Sequence, residues 1–358
     1  MDKNRACQEI EDRFRKIVSK DRDIHVAHLL VHSGSKDIHL KFADGDEGVY
    51  AHPDQPQFTA SVGKMFTSTI IAMLEEKGEL SYEDPVADHL DGDVVESLHV
   101  MDGVDRSKEV KLKHLLNHTS GINDYFDEGT SIKDMDVSII TDDPDRFWTP
   151  QELIRLTKDT TKPKFAPGNG FSYSSAGYQL LGLVIENLTS MPYHDALSKF
   201  FFRPLDMQSS YLIQRSEPMV RSEHPVAGVY LGDDNLVDHR TLSEEYAAGG
   251  IVSSAEDMLK FIRAFAGMEL INADSYAKMQ DWAKFGLGLD YGYGLMRFKK
   301  TPLIMPFEFI GHAGATGTFM IHNFETDTSF VGGLHQHCKH GKALRMAFMS
   351  HMIVNKIR

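Results

Sequence analysis

Near the start of the chain, Ile10, Phe14, Ile17 and Val18 recur at helical spacing, which predicts an amphipathic helix laid over a sheet. Two apolar-rich runs, 24–31 and 38–42, flank the turn-prone Ser33-Gly34-Ser35-Lys36-Asp37 and predict an antiparallel hairpin. An apolar-rich run of helical length follows from Phe58 to Gly78, with the Thr59 hydroxyl as a candidate N-cap and Gly78 as the expected stop. From Glu79 to about Arg240 helical patterns are broken by loops rich in Pro, Gly and Asp, among them Asp84-Pro85 and Pro167-Gly168-Asn169-Gly170. Beyond Gly249-Gly250 the pattern predicts one more helix, Ala255 to Phe265, then strands near 293–298, 307–310, 318–323 and 329–334. Leu344, Phe348 and Met352 at i, i+4 spacing place an amphipathic helix at the end. The expected class is α/β (α+β), with an α/β sandwich domain assembled from residues 1–78 and 241–358. Residues 79–240 form an inserted, mainly helical domain, and a cleft between the two is the natural place for a site.

Composition narrows the partners. The 358 residues can bury a large core, and a net charge of −14 without basic runs argues against nucleic acid or anionic membrane as a partner. No stretch approaches 18 apolar residues, and the charged beginning MDKNRACQEIEDRFRKIV has no apolar segment of signal-peptide type, so a cytoplasmic protein is the expectation. The two cysteines, Cys7 and Cys338, lie at opposite ends of the sequence and do not suggest a disulfide framework.

The chemistry starts with Ser61 and Lys64, three residues apart in the first turn of the 58–78 run. On a helix that spacing puts both side chains on one face, so a hydroxyl and an amine can share a hydrogen bond. At the reference lysine pKa only roughly one side chain in 2,500 is neutral at pH 7. A lysine base therefore needs about 4 kcal/mol of differential destabilisation of its ammonium, which burial supplies. The same four residues also fit a solvated serine and lysine in an ordinary first turn.

Four further stretches resolve that ambiguity: 115–122 (LLNHTSGI), 171–175 (FSYSS), 248–251 (AGGI) and 311–314 (GHAG). With Ser61-Val62-Gly63-Lys64 they resemble, in order and spacing, the serine β-lactamase-like superfamily, especially its class C β-lactamase, penicillin-binding-protein, family VIII esterase and D-aminopeptidase branch. The resemblance covers roughly residues 25–335. It implies a β-lactamase/transpeptidase-like fold, an antiparallel sheet flanked by helices plus a mainly helical domain. It also implies a serine hydrolase that forms an acyl-enzyme on a small ester, amide or peptide, as a carboxylesterase or D-amino-acid peptidase does. A β-lactamase or a penicillin-binding D,D-peptidase is the alternative.

By the same resemblance Ser61 is the nucleophile, Lys64 its base, and Tyr173 a proton carrier near both. The backbone N–H groups of Ser61 and Ala315 would form the oxyanion hole, a device worth ~3–4 kcal/mol in an acyl-transfer transition state. His312, Gly314, Ser175 and Tyr125 would contact substrate. Two of these depart from the pattern: Ser175 stands where many relatives have asparagine, and His312 where β-lactamases have lysine. The segment 117–122 reads as a structural turn, with His118 and Thr119 bonding backbone, and Gly249-Gly250 as close backbone packing.

Two other classes remain. His335, His337, Cys338 and His340 are potential metal ligands, and His335 and His337 would share a face if they lie on a strand. With 18 histidines in the chain and no H-E-x-x-H or second C-x-x-C, solvated histidines at a strand end near the cleft rim explain the cluster better, so no metal or cofactor is expected. A non-catalytic binding protein on the same fold is disfavoured by the joint presence of Ser61, Lys64 and Tyr173. The sequence leaves the oligomeric state open.

Overall fold

The computed structural model describes residues 1–126, 137–301 and 306–357. Its helices of ten or more residues are α1 (Lys3–Ser19), α2 (Lys64–Glu76), α3 (Pro150–Thr160), α4 (Ser175–Thr189), α5 (Ala255–Ala266) and α6 (His340–Val354). The strands of the large sheet are β1 (Val26–Ser33), β2 (Ile38–Gly45), β3 (Ala283–Gly286), β4 (Leu289–Tyr291), β5 (Met296–Phe298), β6 (Phe309–Ala313), β7 (Thr318–Asn323) and β8 (Thr328–Gly333). They pair antiparallel in the order β3-β4-β5-β6-β7-β8-β1-β2, so the first hairpin docks onto the last strand.

Both faces of this sheet are covered, which the period-2 geometry of a strand turns into two separate cores. Leu29 and Val31 on β1, Phe319 and Ile321 on β7 and Phe330 on β8 point to one side, against Ile10, Phe14 and Val18 of α1 and Met346 and Ile353 of α6. Leu30, Met320 and Val331, one residue out of phase, point to the other side, against Met65 and Phe66 of α2 and Phe261 of α5. Fully burying each such side chain is worth about 1.5–3 kcal/mol. This second core continues into Leu180, Val184 and Phe201 of the middle of the chain.

The first helix and hairpin lie where periodicity predicts, with Leu29 opposite Phe42 and Val31 opposite Leu40. Two expectations are corrected and one hairpin had none. The last helix lies where its stripe predicts, with Leu344 and Phe348 packed against the core, but Met352 is 44% exposed and the best-covered positions are Ala343, Met346, Ala347 and Ile353. The β3–β4 hairpin has no apolar alternation to announce it, because Phe285 and Leu287 are exposed at its tip. Thr59 does not cap α2; its hydroxyl donates to the Ile251 carbonyl oxygen at 2.9 Å, a closer acceptor from a neighbouring strand, and a single 3-10 turn, Ala60–Gly63, leads into the helix.

The His335 cluster is also placed differently from the strand reading. β8 ends at Gly333, and His335, with φ +47°, turns inward onto β1. Its Nε2 lies 2.9 Å from His28 Nδ1, and His28 Nε2 donates to the His52 carbonyl oxygen at 3.1 Å. Among the described residues no three His, Cys, Asp or Glu side chains converge on a point where a metal could bind.

Burial holds His28 neutral, its pKa lowered to about 4 from the ordinary 6.5. In the unfolded chain the same imidazole takes up its proton near pH 6.5, so the unfolded state binds more protons between about pH 6.5 and 4 and stability falls as the pH falls through that window. Urea unfolding should therefore show His28→Gln losing less stability than wild type between pH 7 and 5, by up to about 2 kcal/mol. Equal losses would mean that His28 is protonated inside the fold.

Candidate active site

The turn that carries Ser61 is clamped from two sides. A β-carbon on Gly63 would stand 2.9 Å from Gly249 Cα, and one on Gly314 would stand 2.9 Å from Ala60 Cβ and 3.3 Å from Ser61 N. Glycine at these positions is therefore what lets α2, the 248–251 segment and the end of β6 meet. Thr318 Oγ1 adds a hydrogen bond to the Thr59 carbonyl oxygen at 2.8 Å. Ala60, at φ +46°, is held in the left-handed region one residue before Ser61, strain of the kind that concentrates at functional sites.

Ser61 is partly exposed, whereas Lys64 has no exposed surface. The Lys64 amine lies 3.3 Å from Ser61 Oγ, 3.4 Å from Ser175 Oγ and 2.8 Å from the Ala248 carbonyl oxygen. It also sits over two aromatic faces, 4.9 Å from the Tyr173 ring centre and 5.4 Å from that of Tyr178. The structure thus brings Ser61, Lys64, Tyr173 and Ser175 together around one nitrogen.

Tyr173 is supplied by the loop before α4, whose N-cap is Ser174, with Oγ accepting from the Gly177 N–H at 3.4 Å. The 117–122 turn holds this loop. His118 Nδ1 accepts from the Ser174 N–H at 3.1 Å, its carbonyl oxygen accepts from Ser172 N, and its ring lies 4.2 Å from that of Tyr173. With Ser174 N–H fixing Nδ1 as the acceptor, burial and the nearby Lys64 push the His118 pKa well down, so it remains neutral. Thr119 bonds backbone as expected, its N–H donating to the His114 carbonyl oxygen at 2.9 Å and its carbonyl oxygen accepting from Gly168 N–H at 2.8 Å, while its hydroxyl donates to Asn117 Oδ1 at 2.7 Å. Asp124 accepts the Ser175 N–H from below, its own pKa raised by burial.

His312 is not on the cleft surface. It is fully buried, its Nδ1 donates to the Ala313 carbonyl oxygen at 2.9 Å, and its Nε2 accepts from the Tyr291 hydroxyl at 2.8 Å. Burial, helped by Lys64, lowers its pKa to about 3, so it offers no positive charge to a substrate. It positions Tyr291, whose ring lies edge-on to Tyr173 at 5.8 Å. Tyr125 is likewise turned inward: its hydroxyl donates to Glu244 Oε2 at 3.1 Å and accepts from Gln179 Nε2 at 3.0 Å. Residue-by-residue transfer of substrate contacts to these two positions does not survive their burial.

Tyr291 and Phe285, whose rings frame Tyr173, and Asp124 and Glu245 beneath the site lie outside the motifs legible in the sequence. The alternation of tyrosine and glycine in 291–294 was the one available signal for Tyr291. Phe285 and Glu245 had none, because each is brought in by a short element without a periodic pattern.

With this geometry in place the relationship is clear: a sequence model of the Beta-lactamase family matches residues 13–336, and the chain belongs to that family. Among curated proteins it is 29% identical over 240 residues to penicillin-binding protein PbpX of Bacillus subtilis, covering 66% of this chain and 53% of that protein. It is 26% identical over 315 residues to penicillin-binding protein 4 of Amycolatopsis lactamdurans, covering 83% and 73%. The chain spans about half the length of the first of these. Solved structures of the same fold include a D-stereospecific amidohydrolase from Streptomyces sp. (TM-score 0.79, 23% identity, covering 97% of this chain and 99% of that one). Another is a D-amino acid amidase from Ochrobactrum anthropi SV3 (TM-score 0.78, 20% identity, 99% of both chains). The fold is therefore the β-lactamase/transpeptidase-like one, and no helix among the described residues is long and apolar enough to cross a membrane.

Proposed function

We propose that this member of the family is a serine hydrolase that forms an acyl-enzyme on a small ester or amide, in the manner of a carboxylesterase or a D-amino-acid peptidase. The observation that carries the reading is the buried Lys64 amine 3.3 Å from the partly exposed Ser61 hydroxyl. Ser61 Oγ attacks the carbonyl carbon while its proton passes to Lys64, with Tyr173 beside them. The bond to the leaving group then breaks as that group takes up a proton through Tyr173 or Lys64. Water attacks the ester so formed and releases the acid. The N–H groups of Ser61 and Ala315 hold the oxyanion in both halves. In this reading residues 1–78 and 241–358 act as one body and 79–240 as the other, with Tyr173 and Ser175 coming from the second.

The two structural neighbours, a D-stereospecific amidohydrolase and a D-amino acid amidase, favour amides among the candidate substrates. The site disfavours β-lactams: the position where β-lactamases carry an ammonium holds the buried, neutral His312, and Ser175 is spent on Lys64 and lacks a carboxamide. Across a panel of short p-nitrophenyl esters, D-amino-acid amides and nitrocefin, kcat/KM for the best ester or amide should exceed that for nitrocefin by at least about a hundredfold, or ~2.7 kcal/mol of transition-state discrimination. Nitrocefin turnover equal to the best ester would place the chain with the true β-lactamases.

A further inference from the structure

A row of polar side chains that the acylation chemistry does not use crosses four strands of the large sheet, on the face turned toward α5. His322 of β7 pairs with Ser329 of β8, Ser329 with His32 of β1, and His32 with His39 of β2. His322 Nδ1 lies 2.9 Å from Ser329 Oγ, which settles that half of the row. In the other half His32 Nδ1 and His39 Nδ1 face each other at 3.1 Å, with ring centres 5.4 Å apart and ring planes at 75°. The far nitrogen of His39, Nε2, lies 2.8 Å from Glu256 Oε1 at the start of α5. Since β2 is the edge of the sheet, with His39 exposed and His32 half-buried, solvent reaches the pair.

With Nε2 donating to the carboxylate, His39 Nδ1 is a bare acceptor and His32 Nδ1 is its donor. The proton shared between the two rings occupies a place that a larger cation also fits. Two imidazole nitrogens on a tetrahedral Zn²⁺, at about 2.0–2.1 Å each, stand roughly 3.3–3.4 Å apart, and roughly 2.9–3.0 Å apart at a right-angled centre. The observed 3.1 Å lies between these values. Glu256 adds the arrangement that metal-bound histidines ordinarily have, a carboxylate on the second ring nitrogen that fixes the tautomer and raises ligand basicity. The surroundings favour a cation as well. Lys41 pairs with Asp54 and Glu256, and Arg263 with Asp327, three carboxylates to two cations. Burial, with Arg263 nearby, lowers the His32 pKa, so its ring is neutral at pH 7 and does not lose its lone pair to a second proton. The His28–His335 pair differs: both rings are buried, and His28 Nε2 is held by the His52 carbonyl oxygen, so water cannot complete a metal's shell there.

We propose that His32 and His39 chelate a divalent transition metal of the Zn²⁺ class across the β1–β2 hairpin, each through Nδ1, with Glu256 holding His39 from behind and water completing the shell. Two imidazoles without an oxygen ligand from the protein suit Zn²⁺, Ni²⁺ or Cu²⁺ rather than Mg²⁺ or Ca²⁺. As the metal enters, His32 moves its proton from Nδ1 to Nε2, so each ring keeps one N–H. The ion ties the edge strand to its neighbour, and the site is independent of the acyl-enzyme reading. Zn²⁺ itself is the probe. With 18 histidines in the chain, weak binding elsewhere has to be subtracted, so the site is read by difference. In calorimetric titrations at pH 7, the tightest Zn²⁺ site of the wild-type protein should weaken at least about tenfold in His39→Gln and in Glu256→Gln. Unchanged affinity in either variant overturns the proposal. Nitrogen NMR of the histidine rings in the wild-type protein tests it without a variant: Zn²⁺ should shift the Nδ1 resonances of His32 and His39 at lower concentration than those of any other ring. If these two rings stay unmoved, or respond through Nε2, the site is not there.

Discussion

Ser61→Ala is expected to lower kcat for the best substrate by about 10⁴-fold or more while leaving the fold intact. The size follows from the site having one nucleophile: the other hydroxyl near the Lys64 amine, Ser175 Oγ, is on a buried residue and 3.4 Å from it. With Ser61 gone, water would have to attack from a position that no residue has been placed to prepare, leaving only the oxyanion hole and substrate binding to assist. The fold should not notice. Ser61 is partly exposed, the hydrogen bond recorded for its hydroxyl is the 3.3 Å one to Lys64, and Lys64 keeps its 2.8 Å bond to the Ala248 carbonyl oxygen. A surface-like deletion of this sort costs within about 0.5 kcal/mol, below what would move a melting curve by more than a few degrees. Turnover in the alanine protein at more than a hundredth of wild type, with fluorophosphonate labelling retained elsewhere, would remove Ser61 from the nucleophile role.

What could be read from the sequence and what could not differ in a physical way. Ser61 and Lys64 were legible because three residues on a helix fix a face, and that relation holds whatever surrounds it. The hairpin of β1 and β2 was legible because long apolar runs bounded by a turn have few alternatives. By contrast, which way a side chain at a strand end points depends on partners far away in sequence. His312 occupies the position of a substrate-facing ammonium in related proteins, yet here Tyr291 and the Ala313 carbonyl oxygen claim both its nitrogens and draw it inside. Thr59 had the chemistry of a cap and lost to the Ile251 carbonyl oxygen for the same reason. Glu245 carried no signal at all, since an acid in a polar stretch looks solvated until the fold shows what covers it.

Lys64→Arg is the second variant with a large expected effect, and it separates the charge of Lys64 from its ability to give up a proton. Both side chains are cations, but a guanidinium has a pKa above 12 and stays protonated throughout the usable pH range, so it can hold Ser61 without accepting its proton. The slot is also unforgiving. Lys64 has no exposed surface and is closed in by the rings of Tyr173 and Tyr178 and by the Ala248 carbonyl oxygen, so the larger, planar head must displace at least one of them. We expect kcat/KM at pH 7 to fall by at least about 10³-fold, or ~4 kcal/mol of transition-state stabilisation. The pH response is the informative part: some activity should return as the pH is raised to 10, where hydroxide or Tyr173 can take the Ser61 proton that a guanidinium cannot accept. If the loss came from misplacement of Ser61 alone, the rate would stay flat with pH. A variant that keeps its fold by circular dichroism and works near the wild-type rate at pH 7 would show that Lys64 is not the base, and the proton would then have to leave Ser61 through Tyr173.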